Sequence, residues 1–206
     1  MKRKTFDMIL TAGGAMLVVV LVAAGALAMW GYTYANANVH NQLAEQNITF
    51  PTRAAFAHPT AGGEITPSMI PTVSQYAGQP LLTGQQAEVY ADNFISVHLK
   101  EIGGGQSYAQ LSAKAMALPK NSPAYTAAEA KVQTMFQGTT LRGLLLEAYA
   151  FWTFGQIALW AAVISFVLAG VMLTLTLLGM LHFRRVPAEE EFPRTVTPRA
   201  EALVGV

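Results

Sequence analysis

Of 206 residues only 12% are charged, against about 25% in an ordinary soluble domain, and the mean hydropathy is +0.34. A net charge of +1 supplies no basic field for nucleic acid. The absence of cysteine removes disulfides, thiolate zinc sites, iron–sulfur clusters and thiol nucleophiles.

The chain begins with Lys2, Arg3 and Lys4, and between Asp7 and Glu45 no residue carries a formal charge. The apolar core of this run, Met8 to about Trp30, meets the length of about 20 residues that a bilayer requires. Trp30, Tyr32 and Tyr34 follow it, where aromatic rings favour the membrane interface. A cleaved signal peptide, with Ala35 to Ala37 as its processing site, is the rival reading. The apolar core is longer than the 7–15 residues or so of a signal h-region, so an uncleaved anchor is expected. No glycine or proline interrupts the chain from Tyr34 to Pro51, and Val39 and Leu43 stand at i, i+4. The first helix is therefore predicted to run past the membrane to about Gln46, roughly 18 Å further at 1.5 Å per residue.

From Asn47 to Gly84 the composition changes. Pro51, Pro59, Pro67, Pro71 and Pro80 recur, with Gly62, Gly63 and Gly78, and argue against helix. Phe50, Phe56, Ile65, Met69, Ile70, Val73, Tyr76, Leu81 and Leu82 persist through it. A disordered linker has no use for such residues, so an ordered, extended wrap over helices is expected. Asn47 to Thr49 also matches a glycosylation sequon.

Thr83 reads as the N-cap of a helix whose apolar face is Ala87, Tyr90, Ala91, Phe94, Val97 and Ile102, with Gly103 to Gly105 as its stop. Ser107 caps a short helix ending before Pro119. Ser122 and Pro123 then supply an N-cap and N1 pair for a helix expected to end at Gly138. Thr139 to Tyr149 has helical spacing at Leu141, Leu144, Leu145 and Ala148 and leads into a second apolar run between Glu147 and Arg184. Tyr149, Phe151, Trp152 and Phe154 form its aromatic belt, and His182, Arg184 and Arg185 close its other end.

The fold class expected is an all-α membrane protein: two transmembrane helices extended into a stalk, a small helical extracytoplasmic domain, and the Pro-rich wrap. Basic residues at the span ends put both termini in the cytoplasm. Residues 1–7 form the cytoplasmic N-terminus, 8–34 the first span, 35–148 the outside domain, 149–183 the second span and 184–206 a disordered cytoplasmic tail. The outside segment has only six Lys or Arg between Ala35 and Glu147.

Chemistry is sparse. His40, flanked by Asn38 and Asn41, reads as a polar helix contact, His58 as a loop residue and His182 as a snorkelling end residue. Glu88 and Asp92 share a helix face, whereas His98 can meet only Glu101. No nucleophile motif, zinc motif or phosphate loop is present, and the glycines at 103–105 lack dinucleotide spacing. No cofactor, metal site or catalytic residue is assigned. Neither span contains Asp, Glu, Lys or Arg, which disfavours an active transporter. Ala161, Ser165 and Ala169 recur at i+4 on the second span, and Gly14, or Ala24 with Ala28, can serve on the first; small residues let helices approach closely. Val39 and Leu43 are the matching stalk contacts.

Three stretches, "VHNQLAEQNITFP", "GQQAEVYADNFISVHLKEIGGGQSYAQLS" and "FQGTTLRGLLLEAYAFW", resemble a family of small actinobacterial two-span membrane proteins of unassigned function. The resemblance covers Val39 to about Trp152 and implies an actinobacterial plasma membrane. It brings no catalytic residue. A ring-opening dioxygenase assignment, which some members carry, needs a metal that neither His58 nor His98 is placed to bind.

The function expected is a non-enzymatic integral membrane protein that self-assembles or serves as an accessory or scaffold subunit of a larger membrane complex. Its partners are membrane lipid, further copies of itself or other subunits, and no nucleic acid. A homo-oligomeric channel is the alternative, and an extracytoplasmic metal- or ligand-binding sensor a third reading.

Overall fold

The computed structural model describes residues 3–57, 59 and 64–185, the side chains of Arg3 and Lys4 excepted. Lys2, His58, Gly62, Gly63 and the tail from Val186 onward lie outside the described residues. The described chain is all-helical, without a strand. Its elements are α1 (Arg3–Gln46), α2 (Ile70–Val73), α3 (Gly84–Tyr90), α4 (Ser96–Gly103), α5 (Tyr108–Met116) and α6 (Pro123–Arg185), with two 3₁₀ turns at Ala55–Ala57 and Ser74–Tyr76. The described residues fall into two compact units: 3–27 with 161–185, and those between 28 and 160.

The first unit is built from the start of α1 and the end of α6. Both helices are long and apolar enough to cross a membrane, with windows of mean hydropathy 2.3 and 2.4. Those windows are only 6% and 17% buried. Met16, Val19, Leu27, Val167 and Leu178 are among the side chains left facing outward.

In the second unit α1 ends at Gln46, as its uninterrupted sequence predicts, and Asn47 turns the chain out with φ of 51°. The described residues of the wrap that follows are fixed in place. Its two ends are pinned together: Phe50 N–H donates to Gln79 O at 2.9 Å, Leu81 N–H to Ile48 O at 2.9 Å and Gly78 N–H to Pro51 O at 3.0 Å. Gly78 has φ of 72°, a left-handed conformation that favours glycine at this turn. Phe50, Met69, Val73 and Leu81 are at most 1% exposed and form one core with Val39, Leu43, Ala87, Phe94 and Leu145. Burying each such side chain contributes about 1.5–3 kcal/mol, which is why a Pro-rich segment stays fixed with little helix of its own.

Thr83 caps α3 through a complete capping box: its Oγ1 accepts from Gln86 N–H, and Gln86 Oε1 accepts from Thr83 N–H. Between α3 and α4 the helix widens into a π-turn at Ala91–Ile95, where Ser96 N–H reaches back to Ala91 O. A uniform 3.6-residue period does not anticipate that insertion. Gly104, in the left-handed region at φ 58°, ends α4. Ser107 caps α5 through a second capping box with Gln110.

The helix that opens at Ser122 and Pro123 does not end at Gly138. It continues unbroken to Arg185, 63 residues in all. Gly138 is retained inside it for a packing reason: a Cβ there would stand 2.6 Å from Leu99 Cδ2. The glycine admits the Leu99 side chain of α4, at a helix-propensity cost of about 1 kcal/mol. Nearby, Leu111 and Ala115 of α5 pack on Val132 and Met135 of α6 as a second core.

Candidate functional site

Within the first unit, the residues of α1 that are not fully exposed are Asp7, Thr11, Gly14, Val18, Leu21 and Gly25. On α6 they are Ala162, Ser165, Ala169, Met172, Thr176, Gly179 and Phe183. Both series step by three and four residues alternately. That 3.5-residue period is the seam of a left-handed helix pair. Thr11 meets Gly179, Gly14 meets Thr176 and Gly25 meets Phe166, so the two helices run antiparallel. A Cβ on Gly14 would stand 2.6 Å from Thr176 Oγ1, and one on Gly25 2.8 Å from the Phe166 ring. The seam is therefore closed by small residues and leaves no room for a passage between these two helices.

Of the packing residues expected on the second span, Ala169 is buried at 5% exposure, Ser165 is half-buried and Ala161 is exposed; Ala162, at 0%, takes the seam position. The reason is geometric. Steps of four residues turn about 40° further than a full turn, so a series of i+4 contacts drifts off a seam that recurs every 3.5 residues. On α1, Gly14 lies on the seam, Ala28 is half-buried and Ala24 is exposed. Val39 and Leu43, expected as contacts of the extended helix, are 2% and 4% exposed and lie in the core of the second unit with Leu145.

The second unit has its own close approaches. A Cβ on Gly155 would stand 3.0 Å from Ala35 Cβ, and one on Gly84 would stand 2.2 Å from Trp152 Cβ. Trp152, expected as a belt residue, is half-buried above α3. Trp30, Tyr34, Phe151 and Phe154 remain exposed. Trp30 stacks on Tyr34 at 5.6 Å, and Phe151 meets Tyr34 edge-on at 6.5 Å.

Beside these rings lies an open groove of about 400 Å³. Its floor is Val39, Leu43 and Leu145. One rim, on α1, carries Asn38, Gln42 and Gln46; the other, on α6, carries Leu144, Glu147 and Phe151. Gln42 Nε2–H donates to Asn38 Oδ1 at 2.9 Å. Leu144 is 59% exposed. The signal for this groove was present in the sequence: three amides at i, i+4, i+8 face Leu144, Glu147 and Phe151 at i, i+3, i+7. Val39 and Leu43, the apolar face of the same segment, form its floor.

Among the described residues the titratable side chains do not converge. His98 Nδ1 lies 2.8 Å from Phe94 O, and its ring packs on Phe94 at 4.6 Å, so it is held by its own helix rather than paired with Glu101. Asp92 pairs across to Arg142 at 2.6 Å, with both side chains more than a third exposed. Among the described residues no three His, Asp or Glu are grouped to hold a metal. Tyr90 sits between Phe50 and Phe94, its phenol pKa raised by burial and then by the nearby Glu64 carboxylate. Comparison with protein-family models, curated proteins and solved structures finds no match to this chain. Function is therefore read from the residues themselves.

Proposed function

We propose that this chain is a non-enzymatic integral membrane protein, in which residues 8–34 of α1 and 149–183 of α6 cross the bilayer and residues 35–148 form an extracytoplasmic helical domain. The observation that carries the reading is the outward exposure of the two apolar windows. In water that surface would be costly at about 25 cal/mol per Å²; in lipid it is at home. At 1.5 Å per residue, residues 8–34 of α1 are about 40 Å long and residues 149–183 of α6 about 52 Å, enough for a hydrocarbon core of about 30 Å together with its interfaces. The hydroxyl of Thr174 is satisfied by its own helix, donating to Gly170 O at 2.9 Å, as a lipid-facing threonine requires. Arg184 and Arg185 at one end, with Lys2 to Lys4 at the start of the chain, favour cytoplasmic termini.

Its role in this reading is that of an accessory or scaffold subunit, self-assembled or joined to a larger membrane complex. Support comes from apolar side chains left open outside the paired spans: Met116 at 72% and Phe136 at 50% exposure. Carbonate washing of membranes tests the first part, the chain being retained in the pellet. Native mass in mild detergent tests the second. A particle of one chain alone, across detergents, would contradict the assembly.

A further inference from the structure

We infer that the groove between Asn38–Gln46 and Leu141–Phe151 seats the headgroup and first methylenes of an amphiphile bearing a phosphate and a primary ammonium, an ethanolamine phospholipid. The inference rests on the membrane reading, because it needs the rings beside the groove to mark the lipid interface.

Three observations select this occupant. First, the groove is amphipathic along its depth: an apolar floor of Val39, Leu43 and Leu145 lies under a polar rim. A purely apolar partner would leave that rim dry and unpaired. Second, the rim offers the right groups. The hydrogen bond between Gln42 and Asn38 uses one N–H and one carbonyl, so further amide N–H groups on Asn38, Gln42 and Gln46 have no partner among the described residues. Aligned at i+4, they are donors suited to phosphate oxygens. Glu147 is the one charged side chain lining the groove and has no ion pair among the described residues, which suits an ammonium. Third, the groove begins at Phe151, which contacts Tyr34 and through it Trp30. Exposed Trp, Tyr and Phe rings of this kind sit at headgroup depth, so the groove lies where a lipid headgroup would be found. A second copy of this chain fits less well: a two-fold pairing over this groove brings Glu147 toward its own counterpart, and no lining cation offsets the repulsion.

The test uses the full chain, purified in mild detergent after its retention in carbonate-washed membranes has been checked separately. Lysophosphatidylethanolamine and lysophosphatidylglycerol are titrated in parallel and bound adducts are counted by native mass spectrometry. One ethanolamine lipid per chain is expected, held about fivefold more tightly than the glycerol lipid, as a rim ion pair supplies. Glu147→Gln abolishes that preference while leaving both lipids bound. Leu144→Ser, at an exposed position that does not threaten folding, weakens both about fivefold through lost apolar contact. Equal affinity for the two headgroups in the native chain, or binding indifferent to both substitutions, overturns the site and indicates only annular lipid. A lipid-free dimer that Leu144→Ser converts to monomer also overturns it, in favour of a second copy in the groove. A chain released by carbonate overturns the membrane reading instead, and the two failures are thereby distinguishable.

Discussion

Gly84 offers a sharp test of how the second unit is packed. It opens α3, is buried, and faces α6 so closely that an added Cβ would lie 2.2 Å from Trp152 Cβ and 2.5 Å from Trp152 Cγ. Ordinary carbon contacts are about 3.5–4.0 Å, so Gly84→Ala lacks more than an ångström of room. The obstructing atom is bonded directly to the main chain of α6 and no rotamer change moves it. α3 is equally constrained, because Gln86 Oε1 accepts from Leu82 N–H at 2.8 Å and Thr83 N–H at 3.0 Å. The cost therefore lies at the upper end for overpacking, about 3 kcal/mol. At about 2–4 °C per kcal/mol for a chain of this size, the melting midpoint followed by circular dichroism in detergent falls by about 6–12 °C. Adding Trp152→Ala gives only partial relief, since it removes the Cγ contact and keeps the obstructing Cβ; adding Trp152→Gly removes both. Gly143 is the control: exposed, mid-helix, with nothing within 4 Å of a new Cβ. There alanine raises the midpoint slightly, by the helix propensity gained. An unchanged midpoint for Gly84→Ala would show that α3 does not rest on Trp152.

Three further outcomes follow from the second unit. Gln86→Leu strands the Leu82 and Thr83 amides that the buried Gln86 side chain now satisfies and costs about 2 kcal/mol, measured by the same melts. Asp92→Asn costs less than about 1 kcal/mol, because its pair with Arg142 is solvent-screened; a larger loss would mean the π-turn depends on that contact. Tyr90 ionises above the ordinary tyrosine value, since burial and then Glu64 favour its neutral form. The folded state thus holds this proton more tightly than the unfolded one. The stabilisation is complete below the ordinary tyrosine pKa of about 10 and is lost as pH rises through the folded value. Absorbance titration near 295 nm should show one late phenol, absent in Tyr90→Phe.

The helix starts were legible because their chemistry is local. Thr83, Ser107 and Ser122 with Pro123 each bring their own donors or acceptors to a helix end, so a short window suffices. The same holds for the end of α1 near Gln46. Gly138 misled because a glycine in a helical pattern reads as a stop, while its use here is set by Leu99, 39 residues away. Seam positions were shifted by one residue at Ala161 for a related reason: which of several alanines faces a partner depends on the supercoil, which a single-helix wheel does not contain. The order of the wrap was foreseeable from Phe50, Met69 and Leu81, since apolar residues persist only where something buries them. The groove was missed because its two rims lie about 100 residues apart in the chain and each looks ordinary alone.

The chain's lack of cysteine makes its central claim directly measurable. Single substitutions Asn121→Cys, before α6, and Arg185→Cys, at its end, place one thiol on each proposed side of the bilayer. In intact cells a membrane-impermeant maleimide should label Asn121→Cys at once, and Arg185→Cys only after permeabilisation. Equal labelling of both positions in intact cells, or labelling of Arg185→Cys alone, would contradict the account.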